Sequence, residues 1–418
     1  MNLRRLLSVV LSAISILSLQ ARHQILVPTI KTLQVVVGQQ WTSSMPVMQL
    51  HSTDILHLSF DELSHNYHRY TVHIEPCNPD WTPTDGLFES DWLEGFNDLT
   101  IEDYENSLNT TILYTHYQYS LPNDQQRLKM SGNYRLHVID EDNDMQEVLI
   151  AELRVVEPLM NVGLSVTTNT DVDHNRRYQQ VAMTVNYNNL RVTNVSEQIQ
   201  TFVMQNGRED TMKENPRPNY TTPQGLKWEH NHDLIFEGGN EYHKFEMLDL
   251  SHPTMGLEHI YWNEDERQYH AYPFPCEPQR SYLYDEDANG AFYIRNSDNV
   301  ENDRISDYAI VHYKLTPAHY YEDARLIVDG QWTTEAPETY VMSYDDTDQS
   351  YNAAILQKQG YYNYQLRLVD LSGATHIVPE DGSFYQTENS YQGMVYYRPD
   401  GARSWRLTGF QEIIFKAK

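Results

Sequence analysis

The run Asp285, Asp287, Asn289, Gly290 places three side-chain oxygens at alternate positions ahead of a glycine, the opening of a loop that wraps a hard cation such as calcium. Such a loop closes on a bidentate glutamate at its twelfth position, which here is Asn296. Aromatic segments flank it at Ser281–Tyr284 and Ala291–Arg295, so the expectation is a β-hairpin turn and not a metal site. Glu229–Asp233 (EHNHD) sets His230 and His232 on one side of an extended chain, a geometry that can hold zinc; in so polar a connection, solvated rings are expected. His65 and His68 flank a turn and lack a carboxylate at a spacing that would orient a ligand imidazole. Cys77 and Cys276 stand in no Cys-x-x-Cys or zinc spacing and are expected as buried free thiols. His-Glu-x-x-His, Gly-x-Ser-x-Gly and phosphate-binding glycine loops are all missing from the sequence. Paired acids abound, but in so acidic a chain they carry no catalytic signal without a separation in space. The expectation is a non-enzymatic protein with no catalytic residue, no cofactor and no metal.

Charge narrows the partners. Lys and Arg total 30 against 59 Asp and Glu, a formal net charge of -29, so nucleic acid is an unfit partner: phosphate recognition needs a basic surface. The same acidity discourages contact with anionic lipid. Thirty-one Tyr and seven Trp in 418 residues favour strands over helices. The length is enough for about two to four domains with proper cores.

One stretch departs from ordinary strand-and-turn grammar. Between the alternating segments Tyr70–Ile74 and Tyr134–Val138 lies a long excursion, Trp81–Tyr134, with too much aromatic surface for a solvated loop. It must pack on its own scaffold or on a partner. Phe88, Trp92, Phe96 and Tyr104, interleaved with Glu89, Asp91, Glu94, Glu102, Asp103 and Glu105, are the candidate partner-binding residues. Trp81 directly follows a strand and is expected to pack inward.

Within that excursion, Trp81–Asp85 (WTPTD), Trp92–Phe96 (WLEGF), Ile101–Tyr104 (IEDY), Ser107–Thr111 (SLNTT), Tyr114–Tyr117 (YTHY), Leu121–Asn123 (LPN) and Ser131–Tyr134 (SGNY) occur in one order. Downstream come Phe236–Glu241 (FEGGNE), Asp285–Gly290 (DEDANG), Gln359–Tyr364 (QGYYNY) and Tyr396–Ala402 (YYRPDGA). Together they resemble the plug-protein family of the Bacteroidota type IX secretion system, and the resemblance covers nearly the whole mature chain. It implies a periplasmic protein, associated with the inner face of the outer membrane, whose partner is the system's outer-membrane β-barrel translocon. It also implies a resident component and not a secreted substrate.

Arg4 and Arg5 precede the apolar run Leu6–Leu19, too short for a stable span, so residues 1–21 read as a secretory signal with cleavage near Ala21. Domain one is expected over 22–157, from the strand Ile30–Val37 through Met45–Leu50, Ile55–Phe60 and Tyr67–Glu75 to Val148–Val156. Domain two is expected over 158–305, opening with Gln180–Tyr187 and Gln198–Met204. The Pro-punctuated Lys213–Pro223 cannot be a central strand, and Tyr272–Pro278 reads as an extended arm. Domain three is expected over 306–418. Its Tyr364, Leu366, Leu368 and Asp370 can be laid over Tyr134, Leu136, Val138 and Asp140, with Gly360 and Gly132 two residues out of register. The fold class expected is all-β: tandem immunoglobulin-like antiparallel β-sandwiches with long loop insertions. A second functional reading is a periplasmic glycan-binding sandwich, with Trp332 and Tyr361–Tyr364 stacking on sugar.

Overall fold

The computed structural model describes residues 23–43 and 45–417, and the expected signal at 1–21 lies outside them. Strands hold 47% of the residues and helices 6%, the latter as single turns, so the fold is all-β as expected.

Strand Gly132–Asp140 shows why. Its buried Tyr134, Leu136 and Val138 alternate with half-buried Arg135, His137 and Ile139, the period of a strand with one face on a core. It pairs antiparallel with Tyr70–Cys77 on one side and Gln146–Val156 on the other. Val47–Gln49 adds a short parallel pairing to Arg154–Val156. A second sheet, in the order Ile30–Val37, Leu56–Glu62, Thr115–Leu121, Asp103–Asn106, faces the first. Phe60, Tyr70, Tyr117 and Tyr134 fill the space between, with Tyr70 edge-on to Tyr117 at 4.8 Å between ring centroids.

The excursion is therefore not one insertion. Thr115–Leu121 is an interior strand of the second sheet, with Tyr117, Tyr119 and Leu121 buried. Its aromatic content disguised an ordinary alternation.

A second sandwich sets the sheet Asn161–Thr167, Tyr178–Asn186, Gly225–Trp228, Tyr220–Thr222 against the sheet Lys213–Glu214, Ile199–Gln205, Asn389–Tyr397, Arg406–Phe415. In the third, Gly360–Asp370 is central: its first half pairs with His243–Met247 and Phe292–Ile294, its second half with Ala324–Asp329 and Thr375–Ile377. The opposing sheet runs Leu257–Asn263, Gln268–Pro273, Tyr308–Leu315, Ser350–Lys358, Ser343–Asp345.

This pairing divides the chain differently from the expected boundary at 305/306. Asn389–Tyr397 pairs along its whole length with Ile199–Gln205, so the last two strands close the second sandwich. His243–Met247 and Phe292–Ile294, expected in the second, belong to the third. Local patterning cannot reveal a pairing between segments so far apart in sequence. Three smaller expectations also change. Ser281–Tyr284 forms no strand, and Phe292–Ile294 pairs with Gly360–Tyr362 in place of a hairpin partner. Gln268–Pro273 is a strand, and Cys276 beyond it is buried, so Tyr272–Pro278 is no free arm. The overlay of the first and third sandwiches shifts by two: Gly132 and Gly360 both open their strands, and Tyr134 matches Tyr362. Lys213–Pro223 contributes only short outer strands, as its prolines require.

Candidate functional site

The aromatic segment of the first sandwich hangs on Trp92. Glu89–Trp92 makes a single helical turn, begun by Asp91, whose carboxylate accepts the Phe88 N–H at 3.0 Å. The Trp92 ring is 4% exposed and lies 5.9 Å from that of Tyr134. Leu93–Gly95 then pairs with Gln126–Leu128. Gly95 has φ +100°, and a Cβ there would meet the Gln125 carbonyl oxygen at 1.8 Å, so a side chain would force the two strands apart. The Phe96 N–H donates to Gln125 O at 3.3 Å, and Gln126 Nε2 donates to Phe96 O at 2.9 Å. Next door, the Asn97 amide accepts from Ile74 N and donates to Ile74 O, both at 2.9 Å.

The outcome is a braced platform that presents Phe88 and Phe96, 69% and 73% exposed. Arg403 stands 6.0 Å above the Phe88 ring and donates to Gly86 O at 3.0 Å. Large rings on fixed backbone lose little freedom on binding, the property of interface anchors. Of the four sequence candidates, Trp92 is thus a core residue that positions its neighbours. Tyr104 stands apart, on the outer strand Asp103–Asn106 of the other sheet, half-exposed, 4.8 Å from Tyr67 and 5.8 Å from buried Tyr117. Trp81 packs inward as expected, under the Arg154 guanidinium at 4.7 Å.

The remaining candidates are occupied by their own surroundings. Asp287 accepts from the backbone N–H groups of Asn289 and Tyr242, and Asp285 accepts from Lys244 Nζ at 2.6 Å, so both carboxylates a cation would need are engaged. His230 is exposed, 3.0 Å from Asp171. His68, Asp140 and Asp142 bring three ligand atoms within 4.8 Å of one another. Their bonding is that of a turn: Asp140 accepts from Asp142 N at 3.0 Å and Asp142 from Arg69 N at 2.8 Å. Cys77 and Cys276 are buried free thiols, and burial pushes the Cys77 thiol up to about 12. Trp332 is core: it donates its N–H to Asn363 O at 2.9 Å and meets Tyr340 and Tyr362 edge-on, with no face left for sugar.

Two joints between sandwiches escaped the sequence reading. In the first, Lys358 of the third sandwich reaches Asp61 of the first, Nζ to Oδ2 at 2.6 Å. His116 Nδ1 lies 2.6 Å from the other Asp61 oxygen, and the Tyr308 hydroxyl donates to Asp61 at 2.5 Å. Lys358 also donates to Asp303 O at 2.7 Å and sits 4.0 Å over the Tyr114 ring. All four side chains of this knot are buried. Burial alone would push the Asp61 carboxyl up; Lys358 and His116 outweigh it and hold it below the usual carboxylate range. The second joint, between the first and second sandwiches, is an apolar cluster around Met45, Phe202, Met204, Tyr396 and Trp405. The Tyr396 hydroxyl donates to Asn133 at 2.7 Å and Arg154 to Glu209 at 2.8 Å beside it.

All three sandwiches recur in a crystal structure of a hypothetical protein from Parabacteroides merdae. The two chains are 34% identical over 94% of this chain and 99% of that one, with a TM-score of 0.89. A family model described as the type 9 secretion system plug protein first domain matches residues 30–157. The chain belongs to the type 9 secretion system plug protein family. The matched segment runs from the strand opening at Ile30 to the end of the strand Gln146–Val156, and so contains the braced aromatic platform of the first sandwich. No curated protein matches the chain. The major pilin subunit of Bacillus cereus is 9% identical over 66% of this chain and 68% of its own, at a TM-score of 0.14, and has no bearing on the fold.

Proposed function

We propose that this plug-family protein is a non-enzymatic component that binds the periplasmic mouth of the type 9 translocon barrel and closes it while no cargo is engaged. The observation that carries the reading is the buried knot of Asp61, His116, Tyr308 and Lys358, which fixes the first sandwich against the third. Closing a wide pore without catalysis calls for a broad face that does not give, and a block braced by such joints supplies one at little cost in ordering. Phe88 and Phe96 provide rigid apolar anchors on that block, with Tyr104 and Tyr67 as a second exposed pair. Among the described residues no helix is long and apolar enough to cross a membrane.

The test is co-purification with the cargo-free barrel from mild detergent, together with uptake of large antibiotics. Deletion of the protein should raise permeability only in cells that carry the barrel. Equal permeability with and without the barrel, or failure to co-purify, would sink the proposal. A glycan-binding role has weaker support, because, of the rings it would use, Trp332, Tyr362 and Tyr364 are core and Tyr361 is half-buried, edge-on to Trp41.

A further inference from the structure

The three sandwiches meet around a cavity of about 440 Å³, a size suited to a small ligand or a short chain segment. Its walls are Leu33–Val37 of the first sandwich, 206–210 of the second and 327–331 of the third. Consecutive residues are the informative part. Leu33, Val35 and Val37 lie against the core of the first sandwich, while Gln34 turns the other way to Ser59, yet all five residues border the cavity. A cavity over a face of the sheet would meet every second residue; this one meets the strand from its side.

That side is unused. Ile30–Val37 is the outermost strand of its sheet, paired only with Leu56–Glu62 among the described strands. Across the cavity, Ala324–Asp329 pairs as a strand only with Gly360–Asp370 among the described strands, its far side holding a bridge from Ile327 to Val341. An unpaired strand edge beside an open volume is a template for another strand.

The chemistry of the walls narrows the occupant. The charged groups are largely compensated: Glu209 by Arg154, Asp210 by Arg208, Glu335 by Lys31. Two acceptors keep room for a further donor. Asp329 accepts from the Gly330 N–H and has its nearest cationic nitrogens, Arg208 and Arg367, at 4.0 and 3.9 Å, and Asn289 Oδ1 is buried without a partner. Trp41, Phe292 and Val328 supply apolar wall. An uncharged occupant that brings N–H donors and an apolar side chain answers all of these, and an extended peptide is such an occupant.

We infer that the cavity receives an extended segment of a partner protein, which adds as a strand to the free edge Leu33–Val37 and lodges an apolar side chain against Trp41 and Phe292. This site is separate from the Phe88 and Phe96 platform and does not depend on the reading given to that platform.

The protein is tested against an array of random-sequence octapeptides, and the tightest binder is remade with its backbone nitrogens methylated. Binding should slow amide hydrogen exchange within residues 33–37. The methylated copy should bind at least about tenfold more weakly, because it keeps the side chains and loses the ladder donors. Ala374, an exposed turn residue on the cavity wall, gives an independent block: Ala374→Trp should weaken binding about as much at an unchanged melting temperature. The inference is overturned if no octapeptide binds or if the methylated copy binds equally well. It is also overturned if protection falls on another open edge, such as Asp103–Asn106.

Discussion

Lys358 and Asp61 are 297 residues apart in the chain and 2.6 Å apart in the fold, each almost wholly out of water. Two ions removed from water and satisfied by His116, Tyr308 and a backbone carbonyl hold their sandwiches in one relative position. Breaking one half of such a pair strands a charge. Lys358→Met should therefore cost about 3–5 kcal/mol. Urea unfolding checks it, and Asp61→Asn combined with Lys358→Met should cost much less than the sum of the two alone. Additive losses would show that the pair does not act as a unit.

The aromatic segment divides into support and surface. Trp92→Ala removes a buried ring and should destabilise the protein by about 3–5 kcal/mol. Phe88→Ala and Phe96→Ala should each stay within about 0.5 kcal/mol of the parent. If the platform contacts the barrel, the same two variants should reduce co-purification with it while melting normally; retained co-purification would place the contact elsewhere.

Acid and base should both loosen the fold. Burial pushes Glu241 up to about 7 from 4.5, and Asp287 and Asp329 up to about 6 from 3.8. The folded state therefore binds these protons more tightly than the unfolded chain, and the stability they contribute, full below the ordinary values, is lost as pH rises through 6 to 7. Asp61 has the opposite sign: its carboxyl is depressed, so its contribution is present above the ordinary value and lost as pH falls below it. Melting temperature should peak on the acidic side of neutrality, and Glu241→Gln with Asp287→Asn should flatten the decline toward pH 8. A melting temperature that keeps rising to pH 8 would contradict this.

Both thiols should be silent in the native state. Cys77 is buried and its thiol pushed up to about 12, and Cys276 is buried against the Tyr364 hydroxyl at 3.8 Å. A thiol-specific chromogenic reagent should titrate none in buffer and both in guanidinium.

Much of the fold was legible because strands announce themselves by period two, as Tyr134, Leu136 and Val138 do. The pairing of strands was not. The overlay on Tyr364 failed by two residues because every second position of a buried strand carries a similar side chain. A hydrogen bond fixes the register: the Tyr134 and Tyr362 hydroxyls each donate to the carbonyl four residues earlier, Met130 and Lys358. Tyr391 of the second sandwich reaches its own such carbonyl, Thr387, through Gln179. Phe88 and Phe96 are exposed while Trp92, grouped with them in the sequence, is buried, since a ring in an acidic segment looks the same in sequence whether it faces in or out. Asp61 and His116 gave no sign at all. Each is a polar residue on the outward side of a strand, which reads as solvated until a neighbouring sandwich covers it.

The closure of the second sandwich by Asn389–Tyr397 and Arg406–Phe415 imposes an order of events on a chain made from its amino terminus. The third sandwich has all its strands by Ile377, while the second, begun earlier at Asn161, still lacks half of one sheet. The third is thus nested within the second and is able to fold first, leaving Ile199–Gln205 with one side unpaired until Asn389–Tyr397 has been made. A chain cut after Glu388 should keep a protease-resistant first and third sandwich and be digested between them. During that interval the nascent chain carries a largely apolar strand with one edge open, the kind of edge on which unfolded chains aggregate.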